Sequence, residues 1–164
     1  MFLPHQDIKR LAMEEKLLLD PFSEPARHGG VSHGCGPASY DLRVDRDLTF
    51  WPGHSRRADA IERIKMPKYL LGLIFSKSTW ARVHIEHAGT VVDPGFEGVL
   101  RLEINMHYGD NVIDIPAGTG IAQILFAPLC NLQMLIQLGL IQDTVYPYGG
   151  FYLRQGPNQD AIFR

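Results

Sequence analysis

The stretch Thr90-Val91-Val92-Asp93-Pro94-Gly95-Phe96-Glu97-Gly98-Val99-Leu100-Arg101-Leu102-Glu103 sets one carboxylate before a sharp turn and another on the strand that follows it. A carboxylate held on a strand can take up and return protons, and one beside a turn can accept hydrogen bonds, so the pair marks a candidate site. Pro94 fixes its own φ, while Gly95 and Gly98 permit conformations closed to other residues. This predicts a turn tight enough for a ligand to reach main-chain groups. Beyond the turn the pattern alternates, with Leu100, Leu102, Ile104 and Met106 on one face and Val99, Arg101, Glu103 and Asn105 on the other. The plain alternative for Glu103 is that this partly polar face is simply solvated, as charged side chains mostly are.

The elements that must position these groups are mostly strands. Ile8, Leu11 and Ala12 share one face of a short helix over residues 7 to 16, with Asp7 as cap or first-turn acid. Leu17 to Asp20 reads as a brief strand, and Pro21 to Pro37, rich in Gly, Pro, Ser and His, reads as a long loop. Strand patterns then follow at Ser39 to Val44, Leu48 to Trp51, Ala60 to Lys65, Leu70 to Phe75, Val83 to His87, Thr90 to Val92, Val99 to Met106 and Ile121 to Pro128. Many short strands with glycine and proline between them predict a mainly β sandwich or jelly roll. Leu132 to Leu140 fits a further buried strand, and Tyr146 to Arg164 an extended tail that needs a partner surface.

At 164 residues the chain fits one domain, residues 1–164, with a real core. A net charge of -2 provides no general field for nucleic acid or an anionic membrane, so any phosphate binding must be local. The N-terminus lacks a basic segment followed by an apolar run, and no apolar stretch reaches the roughly eighteen residues of a membrane span. Cys35 and Cys130 are the two cysteines, a count typical of reduced thiols. A cytoplasmic protein is the expectation.

Four elements stand in a definite order: Ser39-Tyr40-Asp41-Leu42-Arg43, then Ser76-Lys77-Ser78-Thr79-Trp80-Ala81-Arg82, then Asp93-Pro94-Gly95-Phe96 with Glu103, then Gly118-Thr119-Gly120-Ile121-Ala122-Gln123. Asp7-Ile8, Leu19-Asp20-Pro21-Phe22, Pro52-Gly53, Ile61-Glu62, Met66-Pro67 and a late Tyr152-Leu153-Arg154-Gln155-Gly156-Pro157 extend the pattern. This order resembles the dCTP deaminase and dUTPase superfamily over nearly the whole chain. Glu103 on the strand after Asp-Pro-Gly-Phe resembles the deaminase branch, since simple dUTPases lack that glutamate.

The resemblance implies a dUTPase-like distorted jelly-roll barrel and hydrolytic deamination of dCTP to dUTP and ammonia. Water must attack C4, a proton must reach N3 and the amine must leave, so one carboxyl group that shuttles protons serves several steps. Glu103 is the residue expected to do so, with closure around a base desolvating it and raising its pKa. The family pattern makes Ser78 and Arg82 its catalytic partners, holding water and base. It places Gly89, or a peptide group between Ala88 and Thr90, against the base, and Asp93 on the sugar 3′-hydroxyl. Lys77, Ser78 and Thr79 supply charge and hydroxyls for the triphosphate, with Tyr152, Arg154 and Gln155 closing over it. Gln123 matches the fourth element, with a satisfied strand amide as its equal alternative. Magnesium would arrive on the nucleotide's own oxygens, with no protein ligands to the metal. The family also implies a homotrimer with sites between subunits.

A zinc deaminase would need His-x-Glu followed by Pro-Cys-x-x-Cys. His84-Ile85-Glu86 supplies the first half, but Cys35 and Cys130 stand alone, so zinc is not expected. Strand alternation would put His84 and Glu86 on one side and His87 on the other. His28, His33 and His54 read as solvated loop residues. Three departures from the family stand out: Lys77 where Arg is common, a short segment between Arg43 and Pro52, and a tail shorter by a residue between Tyr152 and Gly156. Continuation to dUMP is compatible with Asp93. The alternatives are a dUTP or other dNTP pyrophosphatase in which Glu103 is structural, and a non-catalytic nucleotide-binding regulator on the same fold.

Overall fold

Period-two alternation builds most of this molecule, and the inward residues it selects form one continuous core. The structure, a computed structural model, describes residues 2–130. The expected strand at Leu132 to Leu140 and the tail with Tyr152, Arg154 and Gln155 lie outside the described residues, as does part of the expected single domain. In chain order the elements are α1 (His5–Met13), β1 (Leu18–Asp20), β2 (Ala26–His28), β3 (Val31–Cys35), β4 (Tyr40–Arg43), β5 (Leu48–Phe50), β6 (Ser55–Lys65), β7 (Leu70–Ser76), α2 (Ser78–Ala81), β8 (Ile85–His87), β9 (Thr90–Val92), β10 (Glu97–Met106), β11 (Ile113–Ile115) and β12 (Gly120–Pro128).

All pairing is antiparallel. One sheet runs β1-β6-β10-β8, a second β2-β3-β4-β12-β7-β9, and a small third joins β11 to β5. Leu100, Leu102, Ile104 and Met106 of β10 are buried as the alternation predicts. They meet Ala58, Ala60 and Ile64 of β6, Leu42 of β4, Ile74 of β7 and Ile124 and Phe126 of β12 in a shared apolar cluster, capped by Ile8 and Leu11 of α1. The jelly-roll expectation holds in its mainly β character, but the sheets stay open, with edges at β1, β8, β2 and β9, and do not close into a barrel.

A charged pair spans the two large sheets. Glu62 of β6 is fully buried, and its carboxylate accepts from Arg43 Nε at 2.7 Å and from the Arg43 backbone N–H at 3.0 Å. The pair bonds the two large sheets beside the isolated Val44–Ala60 bridge. Glu62 therefore satisfies both a side chain and a main-chain donor.

Two sequence expectations need correction. The loop from Pro21 to Pro37 contains the β2–β3 hairpin, turned through Gly29 and Gly30, both at positive φ, as a two-residue hairpin requires. Its residues gave no alternation because all three in β2 are exposed. The strand expected from Val83 starts only at Ile85, because Ser78–Ala81 forms one helical turn and His84 adopts φ 63°. His84 thus lies outside the strand register that would have aligned it with Glu86. Its ring packs on Tyr108 at 3.8 Å, while Glu86 contacts His107 Nε2 at 3.5 Å.

Candidate functional site

The turn α2 carries Ser78 and Thr79 of the expected site residues, with Lys77 just before it and Arg82 just after, and two contacts hold its surroundings in place. Trp80 Nε1–H donates to the Gly120 carbonyl at 2.7 Å, tying α2 to β12. At the end of β7, Ser76 Oγ accepts from the His87 N–H at 2.9 Å, tying β7 to β8. A cavity of about 360 Å3 is lined by Lys77, Ser78, Thr79 and Gln123 together with Ser32, Asp41 and the chain from His33 to Pro37. Ser78 and Thr79 are exposed on it. Gln123 donates to the Ser76 carbonyl at 3.3 Å.

Lys77 is placed differently from a free phosphate ligand. It is buried, and its ammonium forms an ion pair with Asp41 and donates to Ser32 Oγ at 3.1 Å. A buried ammonium needs a compensating charge, and Asp41 supplies it. Asp41 lies within the first family element, yet its partnership with Lys77 crosses from β4 to the start of α2 and has no local sequence signal.

A second cavity of about 310 Å3 gathers Glu103 and Gly89 with His87, Ala88, Thr90 and Arg101. Here β10 runs beside β8 in a register that sets Ile104 opposite His87, so Glu103 lies next to the chain leaving β8. The Ala88 N–H donates to the Glu103 carbonyl at 2.9 Å. The Glu103 side chain is 55% exposed, and its Oε1 lies 3.1 Å from Nε of Arg57, its cross-strand partner. The carboxylate that closure around a base is expected to desolvate thus stands at the surface of the single chain. Arg101 is held by Asp59, Nε to Oδ1 at 2.9 Å. Arg57, Arg101 and His87 were not singled out as site residues, because only the β6–β10–β8 pairing brings them to Glu103.

The remaining expectations scatter. Arg82 lines a third hollow of about 250 Å3 with Val83, His84, Met106 and Asp110. Asp93 begins the predicted tight turn, where the Phe96 N–H donates to its carbonyl at 3.0 Å and Gly95 takes φ 81°. Pro94 and Gly95 occupy the positions a type II turn favours. Asp93 is exposed and lines neither of the two larger cavities.

Burial holds the His87 imidazole below the ordinary histidine pKa, with the Glu103 charge acting in the opposite sense. His33 is lowered as well, first by burial and then by Arg43. A depressed histidine stays neutral in the fold while the unfolded chain takes up a proton near about pH 6.5, so stability is full above that value and falls as pH drops below it. Each such group steepens the loss by up to about 1.4 kcal/mol per pH unit until its folded pKa is passed. Urea unfolding between about pH 7 and pH 5 should show this slope, and His87→Leu should flatten it. An unchanged slope in that variant would assign the loss to other groups.

Comparison with known proteins gives a consistent result. A family model described as dCTP deaminase-like matches residues 52–129. A dCTP deaminase from Campylobacter jejuni is 32% identical over 153 residues, covering 73% of this chain and 79% of that protein. The chain belongs to the dCTP deaminase family. A second family relative, from Aeropyrum pernix, is 28% identical over 177 residues and covers 94% of this chain and 92% of its own length. Among solved structures, the 2'-deoxycytidine 5'-triphosphate deaminase from Agrobacterium tumefaciens superposes with TM-score 0.61 at 18% identity, over 92% of this chain and 55% of that one. The dUTPase of Staphylococcus bacteriophage 80alpha superposes with TM-score 0.55 at 17% identity, over 70% and 91%. These structures share the fold with the family to which this chain belongs.

Proposed function

We propose that this protein deaminates dCTP to dUTP and ammonia, with Glu103 as the proton carrier, in a site completed where two copies meet. The observation that carries the reading is the placement of Glu103, with its carboxylate on the cavity formed by the peptides of Ala88, Gly89 and Thr90. Those peptides offer fixed donors and acceptors to the edge of a base. The Ala88 N–H is already given to Glu103, so the base contacts fall to Gly89 and to the carbonyls.

Glu103 takes a proton from water as the water oxygen bonds to C4, and the electron pair of the C4–N3 double bond moves to N3. The same carboxyl group delivers a proton to N3 and assists the proton transfer that lets the C4–N4 bond break, releasing ammonia and leaving the C4 carbonyl. Packing a base and a neighbouring subunit over the half-exposed carboxylate desolvates it, favouring its neutral form and suiting it to both directions of transfer.

Ser78 and Thr79 line one cavity while Glu103 lines another, which supports a homotrimeric arrangement with one copy's phosphate-binding turn facing the next copy's Glu103. Asp93 then recognises the sugar hydroxyl, and Arg82 and Gln123 complete the contacts with Tyr152, Arg154 and Gln155. Lys77, held by Asp41, contributes by shaping the turn and by its positive potential. Magnesium arrives on the triphosphate oxygens and water, without dedicated protein ligands.

The test is incubation with dCTP or dUTP and magnesium, resolving ammonia, dUTP, dUMP and pyrophosphate. Ammonia and dUTP from dCTP are expected, dUMP would mark continuation, and pyrophosphate from dUTP without ammonia from dCTP would refute deamination. Co-assembled Glu103→Gln and Ser78→Ala chains should regain activity that neither has alone. Failure of mixed assemblies to do so would place both residues in one chain's site.

A further inference from the structure

Arg57 of β6 stands directly across from Glu103 in the strand register, and its Nε lies 3.1 Å from Glu103 Oε1. Both side chains are exposed, Arg57 at 74% and Glu103 at 55%, so the pair stands on the outer face of the first sheet and not in the core. Among the described residues it is the only ion pair that either side chain makes. The other charges around it are already engaged. Arg101, two residues before Glu103 on β10, is gripped by Asp59 of β6 at 2.9 Å and 3.4 Å, and Arg46 reaches the same carboxylate at 3.9 Å. On β8, Glu86 lies opposite Asn105 on this outer face and contacts His107, while His87 lies opposite the buried Ile104 on the inner one. Arg57 is therefore the cation left to Glu103.

An ion pair in open water contributes little, because solvent screens it. The same pair changes character when water is excluded, since the attraction between charges grows as the surrounding dielectric falls. Resting on the deamination reading above, a base and a neighbouring subunit cover Glu103 during turnover, and covering alone drives a carboxylate toward its neutral form. A neutral carboxyl group cannot take the proton from water that starts the reaction. We propose that Arg57 is a positioning residue for Glu103, holding its carboxylate ionised and engaged by one oxygen while the other takes the proton from the attacking water. Once that proton is on the carboxyl group, the adjacent guanidinium favours passing it on to N3, because the transfer restores the ion pair. The Glu103 cavity is lined by His87, Ala88, Gly89, Thr90, Arg101 and Glu103, so Arg57 acts through Glu103 and not on the nucleotide.

Arg57→Leu keeps much of the aliphatic stem and removes the charge, whereas Arg57→Lys keeps a charge without the planar fork. Both changes fall on an exposed side chain, where substitutions leave the fold intact. Arg57→Leu should lower kcat for dCTP by about 10-fold to 100-fold, as misplacement of a reacting group does, and Arg57→Lys should restore most of it. The KM for dCTP should stay within about twofold in both, because the contact is made to Glu103 and not to the nucleotide. The pH profile separates this role from a structural one. Without the counter-charge a higher pH is needed to keep Glu103 ionised in the covered site, so the acid limb of kcat should move to higher pH in the leucine variant and return toward its place in the lysine variant. A leucine variant with wild-type kcat, leucine and lysine variants equally slow, or an acid limb that does not move would overturn the assignment. If the wild-type protein releases no ammonia from dCTP, the deamination reading fails and this role with it, whereas an active wild type with an indifferent Arg57 overturns the role alone.

Discussion

Glu103→Gln should release no measurable ammonia from dCTP while still binding the nucleotide. The amide keeps the shape of the carboxyl group and can still accept from Arg57, whose Nε lies 3.1 Å from the native Oε1, so the β6–β10 face stays ordered. What it loses is proton exchange. General acid–base catalysis by one group contributes about 10²–10⁴-fold, and a residue serving several proton transfers sits at the upper end of that range. Ammonia release followed by a coupled assay, with dCTP binding measured in parallel by calorimetry, separates the two effects. Deamination at the wild-type rate would sink the assignment of Glu103, and loss of binding together with activity would make it a structural residue of the cavity.

The largest expected effect on stability is at Glu62. Glu62→Ala leaves Arg43, a cation with 17% of its side chain exposed, without its partner and strips a main-chain N–H of its acceptor. Removing one member of a buried pair costs about 3–5 kcal/mol, a large part of the stability of a domain this size. Urea unfolding should show the midpoint falling sharply with the m-value retained. Glu62→Gln, which keeps one oxygen for the Arg43 backbone, should lose less. A loss under about 1 kcal/mol in the alanine variant would mean that water reaches Arg43 and that the pair contributes no more than a surface bridge.

These two glutamates mark what could be read in advance. Glu103 was legible because it follows a turn whose proline and glycine announce themselves locally, and because the alternation of Leu100, Leu102 and Ile104 fixes its face. Glu62 also alternates, but on the buried side, where a charged residue is read as an exception until its partner is known. That partner is Arg43, reached only through the packing of one sheet on another. Lys77 and Asp41 repeat the lesson: sequence marks both as polar, yet the long-range pairing that buries Lys77 against Asp41 has no local signal. The hairpin through Gly29 and Gly30 was missed for the opposite reason. Its turn chemistry was present, but β2 buries nothing, so no hydrophobic rhythm flagged the strand. His87 and Arg101 carried no signal of their own, since their nearness to Glu103 is a matter of strand register.

The strand order β2-β3-β4-β12-β7-β9 also has a kinetic meaning. The middle of the second sheet is closed by β12, a late strand that inserts between two much earlier ones and pairs with both. On a growing chain, β4 and β7 therefore wait with bare edges until residues 120 to 128 have emerged. Long-range pairing of this kind slows folding and leaves strand edges open to other chains. Synthesis order thus makes the Gln123 segment the keystone of assembly, and a nascent chain stalled before it is the species most exposed to aggregation or to rescue by a chaperone.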